Sequence, residues 1–277
     1  MNDPENPLIS ARRRAEEETH QQQARNRLWW ERLPMTYVDW ADEKRVPSDP
    51  AALRAIEDQI ISLSPFLRNE FDFAGLKGLR VLDLGCGSGA LSCRLARHGA
   101  RVTAMDLTEH GVMLATANAA AQNLDVTVVR GDAESMAFPD NHFDYIFSWG
   151  VLHHTGDMNR ALREVRRVLK PGGAGLMMVY HRRSIAYYGH GLYWLLAKGK
   201  IFQGCTLKTV QDFYTDGYYH RYLTAGELGE MLKEAELDPR RFRITQYQKK
   251  LAPFIPESLD SFLKKRFGMC LVADFEK

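Results

Sequence analysis

Residues Val81-Leu82-Asp83-Leu84-Gly85-Cys86-Gly87-Ser88-Gly89 join an apolar run, a single acid and three glycines spaced two apart. Glycines at such a place let the backbone turn sharply and come close to a ligand. Val81 to Leu84 reads as a short buried strand. Ala90 to Arg97 reads as a helix, with Leu91, Leu95 and Ala96 on one face. A strand running through a glycine turn into a helix is how open α/β sheets build a nucleotide site. The spacing here is G-x-G-x-G, not the G-x-G-x-x-G of the dinucleotide fingerprint. That difference argues against a nicotinamide-dependent oxidoreductase.

A second acid, Asp106, ends the strand-like run from Arg101. An acid there can accept hydrogen bonds from both hydroxyls of a ribose. A third strand, Val126 to Val129, leads to Gly131-Asp132-Ala133. A fourth, Tyr145 to Ser148, runs into Trp149-Gly150-Val151-Leu152-His153-His154. A helix from Asn159 to Leu169 then stops at Lys170-Pro171-Gly172-Gly173, where proline and glycine block its continuation. A fifth strand, Leu176 to Val179, follows. Strands alternating with helices in this way call for a parallel, doubly wound sheet.

With these five motifs in order, the run from Val81 to Tyr180 resembles a class I S-adenosylmethionine-dependent methyltransferase. It is most similar to the small-molecule branch that includes the quinone and sterol methyltransferases. The resemblance covers about 100 of 277 residues. It implies a Rossmann-like, seven-stranded, mostly parallel α/β sheet with an antiparallel edge strand. It implies S-adenosyl-L-methionine as cofactor and S-adenosyl-L-homocysteine as product. Asp83, Gly85, Gly87 and Gly89 would then pack against the amino-acid half of the cofactor, and Asp106 would bind the ribose with Leu107 beside the adenine. Asp132 and Ala133 would meet the adenine ring, and Trp149 the methionine part. Such a ligand carries a carboxylate, an ammonium and a sulfonium. Backbone N–H groups suit the first, and acids suit the two cations.

Composition is ordinary for a globular chain, with 45% hydrophobic and 26% charged residues. A net charge of +2 is too balanced to argue for a nucleic-acid partner. Cys86, Cys93, Cys205 and Cys270 contain no C-x-x-C pair. With no signal-peptide pattern they read as reduced thiols of a cytoplasmic protein, and no metal site is expected. No apolar run approaches the roughly 18 residues of a membrane span. The expected partner is a small-molecule substrate, and a homo-oligomer stays open.

Two regions outside the five motifs are expected to shape the acceptor side. Residues 1–77 read as an N-terminal helical cap, with 1–27 a solvated helix or a disordered arm. The stretch Leu28 to Trp40 is too apolar for a free tail, and Tyr37 and Trp40 are cofactor-side candidates. Asp49 and Pro50 mark the start of a helix running to Leu63. Residues 78–277 read as the methyltransferase domain, with a lid insertion at 181–223 after the fifth strand. That lid is rich in aromatics, among them Tyr187, Tyr188 and Tyr218, and carries His220. Such walls suit a flat or lipophilic acceptor and a methyl cation donor. Thr224 to Glu227 is a capping box. Arg243 to Gln248 and Met269 to Asp274 read as an antiparallel edge pair.

Methyl transfer from a sulfonium is an in-line displacement in which alignment does most of the work. A hydroxyl acceptor also needs a base near neutral pH, and histidine suits that task. His153, His154 and His181 are the candidates. The sequence thus points to methylation of a small aromatic, isoprenoid or other secondary-metabolite acceptor, with oxygen favoured. Arg182, Arg183 and Arg221 leave room for C- or N-methylation of a small acidic metabolite. A cofactor-binding protein with altered chemistry is the remaining alternative.

Overall fold

The computed structural model describes residues 27–28, 30–31, 49–213, 220–245 and 256–277. Asp49 opens α1 (Pro50–Leu63) by accepting the Ala51 N–H at 3.1 Å, with proline in the first turn. Leu53, Ile56, Ile60 and Ile61 make its buried face. Glu57 is buried among them and takes ion pairs from Arg94 and Arg97 of the next long helix, which removes the cost of an unpaired buried charge. A short α2 (Pro65–Asn69) follows.

The sheet begins with β1 (Arg80–Leu84), α3 (Ala90–Arg97), β2 (Arg101–Asp106), α4 (Glu109–Ala121) and β3 (Val126–Arg130). It continues with β4 (Phe143–Trp149), α5 (Met158–Val168) and β5 (Leu169–His181). Farther along the chain come β6 (Tyr222–Leu223), α8 (Ala225–Glu234), β7 (Asp238–Thr245), α9 (Glu257–Phe267) and β8 (Cys270–Glu276). The strand order is β3-β2-β1-β4-β5-β8-β7, with β6 paired to β5 beside it. Strands β1 to β5 are parallel, and β8 pairs antiparallel with both β5 and β7. The seven-stranded expectation is therefore met along the main path, and the two-residue β6 adds an eighth strand.

Both faces of the sheet are covered, as a parallel sheet requires. Leu82 and Leu84 pack with Met105, Leu162 and Val165 on one side. Val81 packs with Ile60, Phe147 and Trp149 on the other. Strand β1 lies between β2 and β4, so the chain reverses its direction of travel across the sheet there. This is the switch point at which open α/β sheets bind ligands.

Two boundaries differ from the sequence expectation. β5 starts at Leu169, not Leu176, and its register against β4 shifts between Phe143 and Tyr145. Pro171 and the following glycines sit at the start of that strand, a place where proline costs no ladder bond. β7 starts at Asp238, not Arg243, and residues 246–248 lie outside the described residues. Its opening Asp238-Pro239-Arg240-Arg241 is charged because β7 is an edge strand, where charge and proline discourage further pairing.

The segment after β5, expected as a lid, forms α6 (Ile185–Leu192), a π turn at Tyr193–Ala197, a tight turn at Lys200–Gln203 and α7 (Leu207–Phe213). Thr224 and Glu227 form the expected reciprocal capping box of α8. No helix among the described residues is long and apolar enough to cross a membrane.

Candidate active site

The glycine turn between β1 and α3 is held by hydrogen bonds from the neighbouring strand. The Gly85 and Cys86 N–H groups both donate to the Met105 carbonyl, at 2.7 and 3.0 Å. Gly85 has φ 79°, and a Cβ there would stand 2.3 Å from Cγ2 of Val151. Only glycine fits that position. Gly89, at φ 73°, begins α3 with no side-chain cap, which leaves the first N–H groups of that helix open to a ligand. The Gly87 N–H donates to Asp106 at 2.9 Å.

These residues enclose a cavity of about 140 Å³ at the carboxyl ends of β1, β2 and β4. Asp83, Gly85, Gly87, Asp106, Leu107, Asp132, Ala133 and Trp149 all line it, and so do Trp30, Val151, His154 and Thr155. The structure thus brings together, from the ends of β1, β2, β3 and β4, nearly every residue expected on the cofactor side. Gly89 stands next to lining Ala90, at the start of α3. Tyr37, with its neighbour Trp40, lies outside the described residues.

The electrostatics are those of a cation site. Asp83 is 3% exposed and accepts a hydrogen bond from the Ser92 hydroxyl at 2.5 Å. Burial pushes its carboxyl up to about 7, the Ser92 bond opposes that shift, and the charge of Asp106 adds to it. Asp106 accepts the N–H and hydroxyl of Thr108 through Oδ1, at 2.9 and 2.6 Å. Asp132 forms a local turn by accepting the Glu134 N–H at 2.9 Å. Glu134 in turn accepts the Asp157 N–H at 3.0 Å and so ties this turn to the start of α5. Sequence reasoning missed Ser92, Thr108 and Glu134. Thr108 had a signal as the cap residue before α4, since its hydroxyl accepts the Gly111 N–H.

Trp30 closes one side of the cavity, and its neighbour Glu31 anchors it. The Glu31 carboxylate accepts the Glu109 and His110 N–H groups at 2.9 and 3.1 Å, capping α4 from outside the domain core. Trp30 then meets His154 edge-on, with ring centroids 5.0 Å apart.

On the acceptor side, the His153 and His154 rings meet at a tilt with centroids 3.9 Å apart, and Tyr180 lies 4.1 Å from His153. His220 and Tyr222 complete the cluster, each 5.0 Å from the other and near 5.5 Å from Tyr180. Tyr187 packs on Tyr222 at 4.9 Å. His153 is wholly buried, and among the described residues neither ring nitrogen has a hydrogen-bond partner. Burial holds it well below the usual imidazole range, helped by the nearby His154, His220 and Arg221. His181 is placed elsewhere. Its ring Nδ1 lies 3.0 Å from the Gly268 carbonyl at the junction of β5 and β8, away from the cavity wall, and burial lowers its basicity. Tyr188 is half exposed on the outer face of α6, and Tyr218 lies outside the described residues. Arg182 pairs with Glu227 at 2.6 Å, and Arg221 donates to the Thr155 and Gly156 carbonyls, so both already hold structural bonds.

The donor set fits S-adenosylmethionine. It offers buried acids for positive charge, a second acid for ribose hydroxyls, free helix N–H groups for a carboxylate, and apolar walls in Met105, Leu107 and Trp149.

Residues 82–177 match the family model described as "Methyltransferase domain". The chain is 34% identical over 139 residues to a ubiquinone biosynthesis O-methyltransferase of Coxiella burnetii (strain Dugway 5J108-111), covering 50% of this chain and 53% of that one. It thus spans about half the length of the curated relatives it matches. An S-adenosylmethionine-dependent methyltransferase structure from Mesorhizobium loti superposes with a TM-score of 0.54 at 22% identity, covering 77% of this chain and 96% of that one. The cyclase SpnF superposes at 0.53 and 22% identity, covering 86% and 85%. Residues 82–177 are therefore similar to a methyltransferase domain, and the doubly wound sheet with its switch point at β1 is the fold seen in solved S-adenosylmethionine-dependent methyltransferases.

Proposed function

We propose that this protein transfers a methyl group from S-adenosylmethionine to a hydroxyl oxygen of a small organic acceptor. The observation that carries the reading is the pair of buried acids, Asp83 and Asp106, facing one cavity at the switch point. The cofactor supplies an electrophilic methyl carbon on a sulfonium. Asp83 receives the ammonium, and the first N–H groups of α3 receive the carboxylate. Asp106 accepts the ribose hydroxyls, while Asp132, Ala133 and Leu107 hold the adenine. Trp149 walls the methionine end.

His154 stands between that cavity and the cluster of Tyr180, His220 and Tyr222, so it is placed to take the proton of an acceptor hydroxyl. His153 stays neutral behind it and positions the ring. Tyr187 and His220 belong to the acceptor wall. His181 acts as a strand clasp. The chain divides into a cap, residues 1–77, and a catalytic domain, 78–277, with a lid at 181–223. The relative's printed name, a ubiquinone biosynthesis O-methyltransferase, favours an oxygen acceptor. The bonds already made by Arg182 and Arg221 disfavour an acidic acceptor.

Calorimetry with S-adenosylmethionine tests the first half, and absence of binding sinks it. Incubation with labelled cofactor and a cell extract tests the second, read as labelled product and S-adenosylhomocysteine. A second reading, a cofactor-binding protein with altered chemistry, draws on the same fold in the cyclase SpnF. It is favoured if the cofactor binds and is recovered unchanged from every extract.

A further inference from the structure

Residues 182–211 hold five cationic side chains, Arg182, Arg183, Lys198, Lys200 and Lys208, and no aspartate or glutamate. Within them α6 is apolar on two faces. Tyr187, Gly191 and Leu195 are buried, and Gly191 sits so close to α7 that a Cβ would stand 2.1 Å from Cδ1 of Leu207. On the adjoining face Ile185, Tyr188, Leu192 and Leu196 follow at helical spacing and are 40–62% exposed. A helix that packs on one core needs one apolar stripe. A second stripe marks a second apolar partner.

The next turn adds to that stripe. Gly199 and Gly204, at φ 65° and 73°, bracket it, and Phe202 at its tip is 91% exposed, two residues after Lys200 and four after Lys198. Helix α9 repeats the combination, with exposed Leu259, Phe262 and Phe267 beside exposed Lys265 and Arg266, while Lys264 is held in an ion pair with the buried Asp260. The two segments meet at their bases, where the His181 N–H donates to the Met269 carbonyl at 2.7 Å. Both leave the sheet at the carboxyl ends of its parallel strands, the edge that also carries the cavity.

We propose that α6, the Phe202 turn and α9 form a docking surface for an anionic lipid bilayer. Apolar and aromatic side chains enter the headgroup boundary, and the lysines beside them meet anionic headgroups. A short glycine-bounded turn with an aromatic tip offers insertion without a shaped groove, which suits lipid better than a protein. The absence of acids across 182–211 removes the repulsion that an anionic surface would otherwise impose. This goes beyond the methyl-transfer reading and does not rest on it.

The test is flotation of the full chain with phosphatidylcholine vesicles, with and without phosphatidylglycerol. Flotation is expected only with the anionic vesicles, and less of it at high salt. Leu196→Asp with Phe202→Asp should abolish it. Lys198→Gln and Lys200→Gln should each weaken partitioning roughly fivefold. Cofactor binding by calorimetry should be unchanged in all variants, which shows that they fold. No flotation on anionic vesicles, or flotation untouched by the variants, overturns the proposal. So does a wild-type dimer in sedimentation that Leu196→Asp with Phe202→Asp dissociates, because the surface then belongs to a second copy.

Discussion

The Asp106 carboxylate accepts the Gly87 N–H at 2.9 Å through Oδ2, while its Oδ1 holds Thr108. One acid therefore sets the shape of the glycine turn and caps the approach to α4. Its remaining lone pairs face the cavity. Asp106→Ala should lower stability by about 1–3 kcal/mol through the orphaned donors. It should weaken S-adenosylmethionine by about 100-fold, the worth of two hydrogen bonds to a charged acceptor. Calorimetry checks this, and an unchanged affinity would place the ribose elsewhere.

Asp83 should make the empty protein sensitive to pH. Its carboxyl rises from the ordinary 3.8 to about 7 on folding. Between those values the folded chain holds a proton that the unfolded chain has lost. Stability is therefore fully present below about 4, falls as pH rises towards 7, and is flat above. Asp83→Asn should remove that slope and raise the melting temperature at about pH 8. The cofactor brings a cation that needs the ionised form, so wild-type affinity should grow from about pH 6 to about pH 8. Asp83→Asn should bind more weakly and without that rise. A variant that kept the pH dependence would assign it to another group.

His153 offers a split between stability and function. Its two ring nitrogens, unpartnered among the described residues, are buried among aromatic rings, and each such group costs roughly 1–3 kcal/mol of desolvation. His153→Phe removes that cost, so the melting temperature should hold or rise. Turnover should nevertheless fall, because the ring that positions His154 has changed shape. His154→Gln should lower turnover by about 100-fold or more while leaving cofactor affinity within a few-fold. A His154→Gln enzyme with full turnover would remove it from the proton path.

Glu31 works at a distance from the chemistry. It caps α4 and brings Trp30 against His154. Glu31→Ala loses two hydrogen bonds to a charged acceptor at a helix N-terminus, and the cap residue Trp30 loses its anchor. Cofactor release, followed by stopped-flow displacement, should quicken by about tenfold, and Trp30→Ala should do the same. Equal release rates in wild type and both variants would detach this segment from the cofactor.

The donor side was legible because its residues lie in short segments whose turn chemistry is local. Asp83, the glycines, Asp106 and Asp132 each end a strand, and parallel strands bring their ends together whatever the helices between them do. The histidines were harder to assign. His153 and His154 are adjacent in sequence, yet the turn after β4 puts one in the cavity wall and the other behind it. His181 follows an equally apolar strand but points to β8, a partner 87 residues away that no local pattern reveals. Tyr187 and Tyr188 likewise share composition and differ only in which face of α6 they occupy. Asp238 to Arg241 did not read as strand because an edge strand carries charge instead of an apolar alternation.

Gly85 and Val151 bind the donor loop to the loop after β4. A Cβ on residue 85 would stand 2.3 Å from Cγ2 and 2.6 Å from Cγ1 of Val151, at a backbone φ of 79°. Gly85→Ala therefore carries two costs. The left-handed backbone costs a side chain roughly 1–2 kcal/mol. The clash adds about 1–3 kcal/mol, because overpacked neighbours must shift. Val151→Ala removes the methyl groups in the way, so the double variant should recover the clash but not the backbone cost. Denaturant unfolding of the two single variants and the double variant measures this coupling. Positive recovery of about 1 kcal/mol or more shows that the two loops touch as described, and strict additivity would separate them. The same cycle, repeated with S-adenosylmethionine bound, tells whether the contact sets the width of the cofactor cleft. If it does, Val151→Ala restores affinity to the Gly85→Ala protein along with stability.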